Sequence, residues 1–187
     1  YAITDFGRKL KRSYDGGATF TVANSVNFAG GALLSRVRVA AADTSKICVL
    51  RGSGLLLRST NAGISFQAVV NVGGEKFGHQ WNYDKAIALS PVDTNVILIG
   101  LVPLIKSMNK GAAFAVIDSM NSFINGIHVD FHELEFSLFN ANTLYAVNDG
   151  GIYVSHDIGE TWASLNNGMN VTQYYKLSSS FLNPDLL

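Results

Sequence analysis

Ser155-His-Asp-Ile-Gly-Glu-Thr-Trp162 is the stretch whose reading decides the fold, because the chain carries four versions of it. The others are Ser13-Tyr-Asp-Gly-Gly-Ala-Thr-Phe20, Ser59-Thr-Asn-Ala-Gly-Ile-Ser-Phe66 and Ser107-Met-Asn-Lys-Gly-Ala-Ala-Phe114. All align without gaps as Ser-x-Asp/Asn-x-Gly-x-x-aromatic, with starts 46, 48 and 48 residues apart. A second element keeps step with the first. Ser90-Pro-Val-Asp-Thr-Asn-Val-Ile97 matches Ser137-Leu-Phe-Asn-Ala-Asn-Thr-Leu144 and Ser180-Phe-Leu-Asn-Pro-Asp-Leu-Leu187, with a worn copy at Ala40-Ala-Ala-Asp-Thr-Ser-Lys-Ile47. Two interleaved motifs at one period mark a repeat architecture.

Each repeat parses into four short strands. In the best-defined copy they are predicted at Ile127–Phe136, Thr143–Val147, Ile152–Ser155 and Thr161–Leu165. The turn Asn148-Asp149-Gly150-Gly151 joins the second to the third, and the octet joins the third to the fourth. Asp-Gly and Gly-Gly supply the positive φ angles of tight hairpins. Second-strand copies such as Val96-Ile97-Leu98-Ile99 are apolar throughout, as strands covered on both faces are. Four antiparallel strands per unit of about 47 residues is the signature of a β-propeller blade. The expected fold is all-β: a single propeller segment over 1–187, with approximate repeats at 1–39, 40–89, 90–136 and 137–187. Four repeats suffice for a small closed ring. The expectation adopted is a stretch of a larger propeller of roughly six to ten blades.

Composition narrows the function. The 187 residues hold 14 basic and 14 acidic side chains, 15% charged in all, which argues against a nucleic-acid or anionic-membrane surface. A hydrophobic share of 48% is ample for a core, and no apolar run is long enough to span a bilayer. One cysteine, Cys48, excludes an internal disulfide framework and zinc sites built on cysteine pairs, and is expected as a small buried hydrophobe. The chain opens on Tyr1 without a signal-peptide pattern, so it is expected to be the interior of a longer polypeptide. No cofactor fingerprint is present. The basic run Arg8 to Arg12 is expected to be solvated beside a hairpin.

The octets resemble Asp-boxes, the Ser-x-Asp-x-Gly-x-Thr-Trp motifs of BNR-repeat propellers. Such propellers occur in sialidases, xyloglucanase-type glycoside hydrolases, sortilin-like receptors and many secreted bacterial surface proteins. The resemblance covers the whole chain. The copy at Ser155 is complete, whereas those at Ser59 and Ser107 carry Asn for Asp and lack the final Trp. His128 through Tyr175 is most similar to large secreted BNR-repeat proteins of Bacteroidetes-type bacteria. There, segments like Asn148-Asp149-Gly150-Gly151-Ile152-Tyr153 and Asn166-Asn167-Gly168…Gln173-Tyr174-Tyr175 recur in that order. The resemblance implies a secreted or cell-surface location.

The octets themselves read as scaffold. Asp15, Asn61, Asn109 and Asp157 are placed to accept hydrogen bonds from their own turns. Ser13, Ser59, Ser107 and Ser155 open those turns, and Gly17, Gly63, Gly111 and Gly159 permit a left-handed backbone. Phe20, Phe66, Phe114 and Trp162 pack inward. Chemistry is sought where the repeat breaks. His128, Asp130 and His132 are predicted on one face of an inner strand, at i, i+2 and i+4. Their counterparts are Trp81, Tyr83 and Lys85 one repeat earlier, and Val171, Gln173 and Tyr175 one repeat later. Topology puts His128 and Asp130 at the same end as Asp149.

Two imidazoles and one or two carboxylates could bind a divalent metal or form an acid–base pair. The alternative, which we favour from sequence, is a buried hydrogen-bonded network lining the propeller channel. Trp81 and Tyr83 could stack on sugar rings or pack between blades. Two functions follow. One is a non-catalytic extracellular platform binding protein or glycan, alongside other blades or domains of the same chain. The other is part of a glycoside hydrolase acting on polysaccharide, with Asp130 and Asp149 as its paired carboxylates. A sialidase is disfavoured, for no arginine cluster or Phe/Tyr-Arg-Ile-Pro motif is present.

Overall fold

The structure, a computed structural model, describes residues 1–4, 9–24, 35–73, 83–118 and 126–170. Four antiparallel sheets follow one another along the chain. The first contains β1 (Ala2–Thr4), β2 (Lys9–Arg12) and β3 (Thr21–Asn24); the second contains β4 (Arg36–Val39), β5 (Ile47–Leu50), β6 (Leu55–Ser59) and β7 (Gln67–Asn71). The third contains β8 (Ala86–Leu89), β9 (Ile97–Gly100), β10 (Leu104–Ser107) and β11 (Ala115–Asp118). The fourth contains β12 (Phe131–Phe136), β13 (Leu144–Asn148), β14 (Gly151–Ser155) and β15 (Ala163–Ser164). Every strand pairs with its sequence neighbour, so each sheet is a simple meander. These are propeller blades. The octet of the first sheet lies between β2 and β3, so β1 to β3 occupy the second to fourth blade positions. The repeat limits at 39/40, 89/90 and 136/137 fall at the ends of the first strands β4, β8 and β12.

Alternating apolar side chains drive consecutive sheets together face to face. Leu10, Val49 and Leu57 form the core between the first and second sheets. Cys48, Leu50, Leu56, Ile87, Ile97 and Ile105 fill the next layer, and Leu98, Leu104, Phe131, Leu134, Leu144 and Trp162 the last. All four residues of both β5 and β9 are buried. β13 differs, since Tyr145 and Val147 are exposed while their neighbours are buried. Among the described residues no further sheet covers that face. The inner strands β4, β8 and β12 lie side by side in turn. Arg38 of β4 reaches past the third sheet to pair with Glu133 of β12, and lies 3.6 Å from Glu135. The basic run does not stand wholly in solvent: Leu10 is fully buried, and Arg12 sits 4.4 Å over the Tyr14 ring.

The four octets share one hydrogen-bond pattern. The leading serine hydroxyl donates to the third-position Asp or Asn at 2.7 to 2.9 Å. It also accepts the glycine N–H at 2.7 to 2.9 Å. The Asp or Asn oxygen accepts the seventh residue's N–H at 2.8 to 2.9 Å. The fourth residue is left-handed even where it is Ala62, Lys110 or Ile158. The strain is held because those three N–H groups donate to Ser45, Asn95 and Asn142 carbonyls in the hairpin of the same blade. Gly159 carries a second constraint: at φ +87°, a Cβ there would stand 2.9 Å from Leu98 Cδ2. In the second, third and fourth sheets the octets thus tie the third-to-fourth-strand turn to the first-to-second-strand hairpin at one end of the blade.

Candidate functional site

The opposite end carries the polar cluster, and three local irregularities shape it. The expected first strand from Ile127 begins only at Phe131, because Asp130 has a left-handed backbone with φ +63°. Its N–H donates to the Val102 carbonyl of the neighbouring blade at 3.1 Å, which holds that conformation. The pairing of β12 with β13 then slips by one residue between Phe131 and Glu133, so His132 is the extra residue of a β-bulge. Bulging breaks the simple i, i+2 face and re-aims the imidazole. Third, the turn Asn148–Gly151 is fastened from several sides. Asn148 Nδ2 donates to the His128 carbonyl at 2.6 Å, and Asn166 Nδ2 donates to the Gly150 carbonyl at 2.7 Å. A Cβ on Gly150 would lie 2.4 Å from that of His128, so only glycine permits this approach.

These constraints bring Asp149 Oδ1 to 2.6 Å from His132 Nε2. The other ring nitrogen, Nδ1, lies 3.6 Å from Oδ1 of Asp84, just ahead of β8 on the adjacent blade. Both imidazole nitrogens therefore face carboxylates. Tyr83 meets the same ring edge-on with centroids 5.5 Å apart, and is itself 71% exposed. His128 is half-buried, with Nδ1 2.9 Å from the Val129 carbonyl, and does not share the His132–Asp149 contact. Trp81, Gln173 and Tyr175 lie outside the described residues. Among the described residues no three His, Cys, Asp or Glu side chains are arranged to hold a metal ion.

Asp84 was not singled out from the sequence. Its signal was present, however: the aligned positions are Leu34 and Phe131, and a carboxylate replaces them. Asp84 is 1% exposed, and neither of its oxygens has a hydrogen-bond partner; buried Oδ1 of Asp130 has none either. Asp84 and Asp130 instead interact with each other, carboxyl to carboxyl. Burial, reinforced by the charge of Asp130, pushes the Asp84 carboxyl up to about 6, against the pull of His132. Burial and then the charge of Asp149 raise Asp130 as well. Asp149 and His132 remain about one-third exposed at the rim.

The fold is shared with solved structures of GH74 enzymes. An ancestral GH74 enzyme superposes with a TM-score of 0.56 at 22% identity, over 89% of this chain and 22% of that one. The GH74 enzyme of Niastella koreensis gives 0.53 at 20% identity, over 69% of this chain and 22% of that one. The GH74 xyloglucanase from Xanthomonas campestris gives 0.51 at 21% identity, over 69% and 23% respectively. The likeness establishes the propeller fold, and this chain spans less than a quarter of each enzyme. No family model and no curated relative matches the sequence. No helix among the described residues is long and apolar enough to cross a membrane.

Proposed function

We propose that this chain is part of an exported, bacterial Asp-box propeller protein that binds a glycan, without cleaving it, at the end carrying Tyr83, His132 and Asp149. One observation supports a functional rather than a structural role for that end. The left-handed Asp130, the bulged His132 and the buried Asp84 all converge there. Backbone strain and buried carboxyl groups cost stability, and they concentrate where a site is preorganised. Tyr83 supplies what a sugar needs beside polar groups: an exposed aromatic surface with a polar tip. The test is affinity electrophoresis and calorimetric titration of the full-length protein with soluble glucans, including xyloglucan. Saturable binding lost in Tyr83→Ala, with thermal unfolding unchanged, is the expected result. Absence of binding to every glycan in the panel sinks the reading. Export is tested separately by fractionating cells that produce the full-length chain; confinement to the cytoplasm contradicts it.

A second reading, part of a glycoside hydrolase, is favoured by the raised carboxyl of Asp84. Burial raises Asp84 to about 6 in a cluster that also contains Asp149, and a carboxyl held protonated by its surroundings is what the acid of a glycosidase uses. Against it, Asp84 is 1% exposed and so is poorly placed to touch a glycosidic oxygen. Release of reducing ends from xyloglucan, abolished by Asp149→Asn, decides for the hydrolase.

A further inference from the structure

The residue just ahead of the octet serine is basic in the first three sheets: Arg12, Arg58 and Lys106. Each faces the octet of the next sheet, and two of them find an acceptor there. Arg12 Nη1 donates to the Ala62 carbonyl of the second octet at 3.3 Å. Lys106 Nζ stands 2.6 Å from Glu160 Oε1 of the fourth octet. The middle copy breaks the pattern, and sequence patterns tend to break where function intrudes. Where the fourth octet has Glu160 the third has Ala112, and where the others have Ala62 and Ile158 it has a second cation, Lys110. Among the described residues neither Arg58 nor Lys110 is in an ion pair or a side-chain hydrogen bond. Both line one cavity of about 400 Å³ between the second sheet and the third octet, whose walls include Thr60, Ser65, Gln67 and Asn109 and no acidic residue. The walls are fixed. Lys110 has a left-handed backbone, and its N–H donates to the Asn95 carbonyl at 2.9 Å. The third octet presses on the second sheet so closely that a Cβ on Gly111 would lie 2.8 Å from Leu56 Cδ2.

We infer that this cavity binds an acidic sugar, with the oxygens of its carboxylate or sulfate ester seated between Arg58 and Lys110. Arg58 offers a planar fork of N–H donors that matches two oxygens of one oxyanion, and Lys110 adds a compact charge. Ser65 Oγ accepts Asn61 Nδ2 at 2.8 Å, which leaves the hydroxyl proton to donate. The hydroxyl and amide side chains of the walls give partners to the hydroxyls around a sugar ring. An acidic peptide, whose side chains bring carboxylates alone, leaves those groups unmatched. The cavity is of the size that holds a small organic ligand rather than a bare inorganic anion. No aromatic side chain lines it, so charge rather than stacking selects the ligand. The site lies at the octet end, away from Tyr83, His132 and Asp149, and stands independently of the function proposed for them.

The experiment is calorimetric titration of the full-length protein with an oligogalacturonate, its fully methyl-esterified counterpart, a sulfated galactan oligosaccharide, hexaglutamate and inorganic sulfate. The expected result is saturable binding of the oligogalacturonate or of the sulfated oligosaccharide, the two arms telling carboxylate from sulfate ester. The methyl ester should bind about tenfold more weakly or not at all. The affinity should fall with added salt. Arg58→Gln and Lys110→Gln should each weaken binding of the acidic sugar about tenfold, with thermal unfolding unchanged. Lys110 is exposed, so its variant carries the test if Arg58→Gln loses stability. Ala112→Glu brings to Arg58 the carboxylate that Glu160 supplies to Lys106, and should abolish binding in a folded protein. Binding of the methyl ester as tight as that of the free acid overturns the oxyanion seat, and so does the absence of binding by both acidic sugars. Hexaglutamate or inorganic sulfate binding as tightly as the acidic sugars, with the same loss in Lys110→Gln, assigns the cavity to another occupant and overturns the inference.

Discussion

Replacing Asp84 by Asn should make the protein more stable at neutral pH and no more stable at pH 4. The carboxyl is 1% exposed and has no hydrogen-bond partner, and its folded-state value lies at about 6 against 3.8 for a free side chain. Since the folded value is the higher one, the native state binds more protons than the unfolded chain between those two limits. Stability is then greatest below pH 3.8, falls as the pH rises through about 6, and is flat above that. The displacement corresponds to about 3 kcal/mol, an upper figure because part of it is coupling to Asp130, which titrates with Asp84. Asn has the shape of the protonated carboxyl and no charge, so D84N removes the share of the slope that Asp84 carries and leaves that of Asp130. The assay is urea unfolding of the full-length protein at half-unit steps from pH 4 to pH 8, followed by tryptophan fluorescence. Wild type should lose stability across the window and D84N distinctly less, the two curves meeting near pH 4. A D84N curve with the wild-type slope, or one lying below wild type at pH 7.5, would refute the claim that an unrelieved buried charge sits there.

Ala113→Thr should raise the melting temperature slightly, by about 0.5 kcal/mol of stability. It restores to the third octet a hydroxyl like those of Thr19 and Ser65, which bond their Asp or Asn at 2.6 and 2.8 Å; a lower melting temperature counts against the scaffold role. Gly159→Ala and Gly168→Ala share a left-handed backbone, at φ +87° and +81°, but only Gly159 faces a close neighbour, Leu98. Both should lose about 1 kcal/mol to the backbone, and Gly159→Ala about 1–2 kcal/mol more to overpacking; equal losses in chemical unfolding contradict the packing argument. Asp157 has the opposite sign to Asp84: burial pushes its carboxyl up but is outweighed by hydrogen bonds from Thr161 and Ser155, which hold it at about 2. Its contribution, present above pH 3.8, is lost as the pH falls towards 2, so Asp157→Asn should flatten acid unfolding in that window.

The blade pattern was legible because repetition multiplies weak signals. A lone Ser-x-Asp-x-Gly proves little, but four copies in step with four hairpin motifs locate every third-to-fourth-strand turn. Leu98 and Ile99 declared a doubly covered strand by composition alone, and both are buried. The site was legible in part. Topology placed His128 and Asp130 at the same end as Asp149, but the residue that meets Asp149 is His132. Their exact relation was not readable, because it depends on a bulge that no local residue announces. Asp84 stands between Tyr83 and Lys85, on the alternate face of the extended segment, where the neighbouring repeats carry Leu34 and Phe131.

Local chemistry therefore determined the strand order, the octet turns and the layered core. Those features rest on contacts within one hairpin or on alternation along one strand, and both are written into consecutive residues. What the tertiary structure alone decided is the electrostatic character of the cluster. Asp84 comes from one blade, while Asp130, His132 and Asp149 come from the next. The left-handed turn at Asp130 is held by a carbonyl of the third sheet, Val102, rather than by anything in its own strand. Burial then raises the two carboxyls, and burial exists only once the blades have stacked.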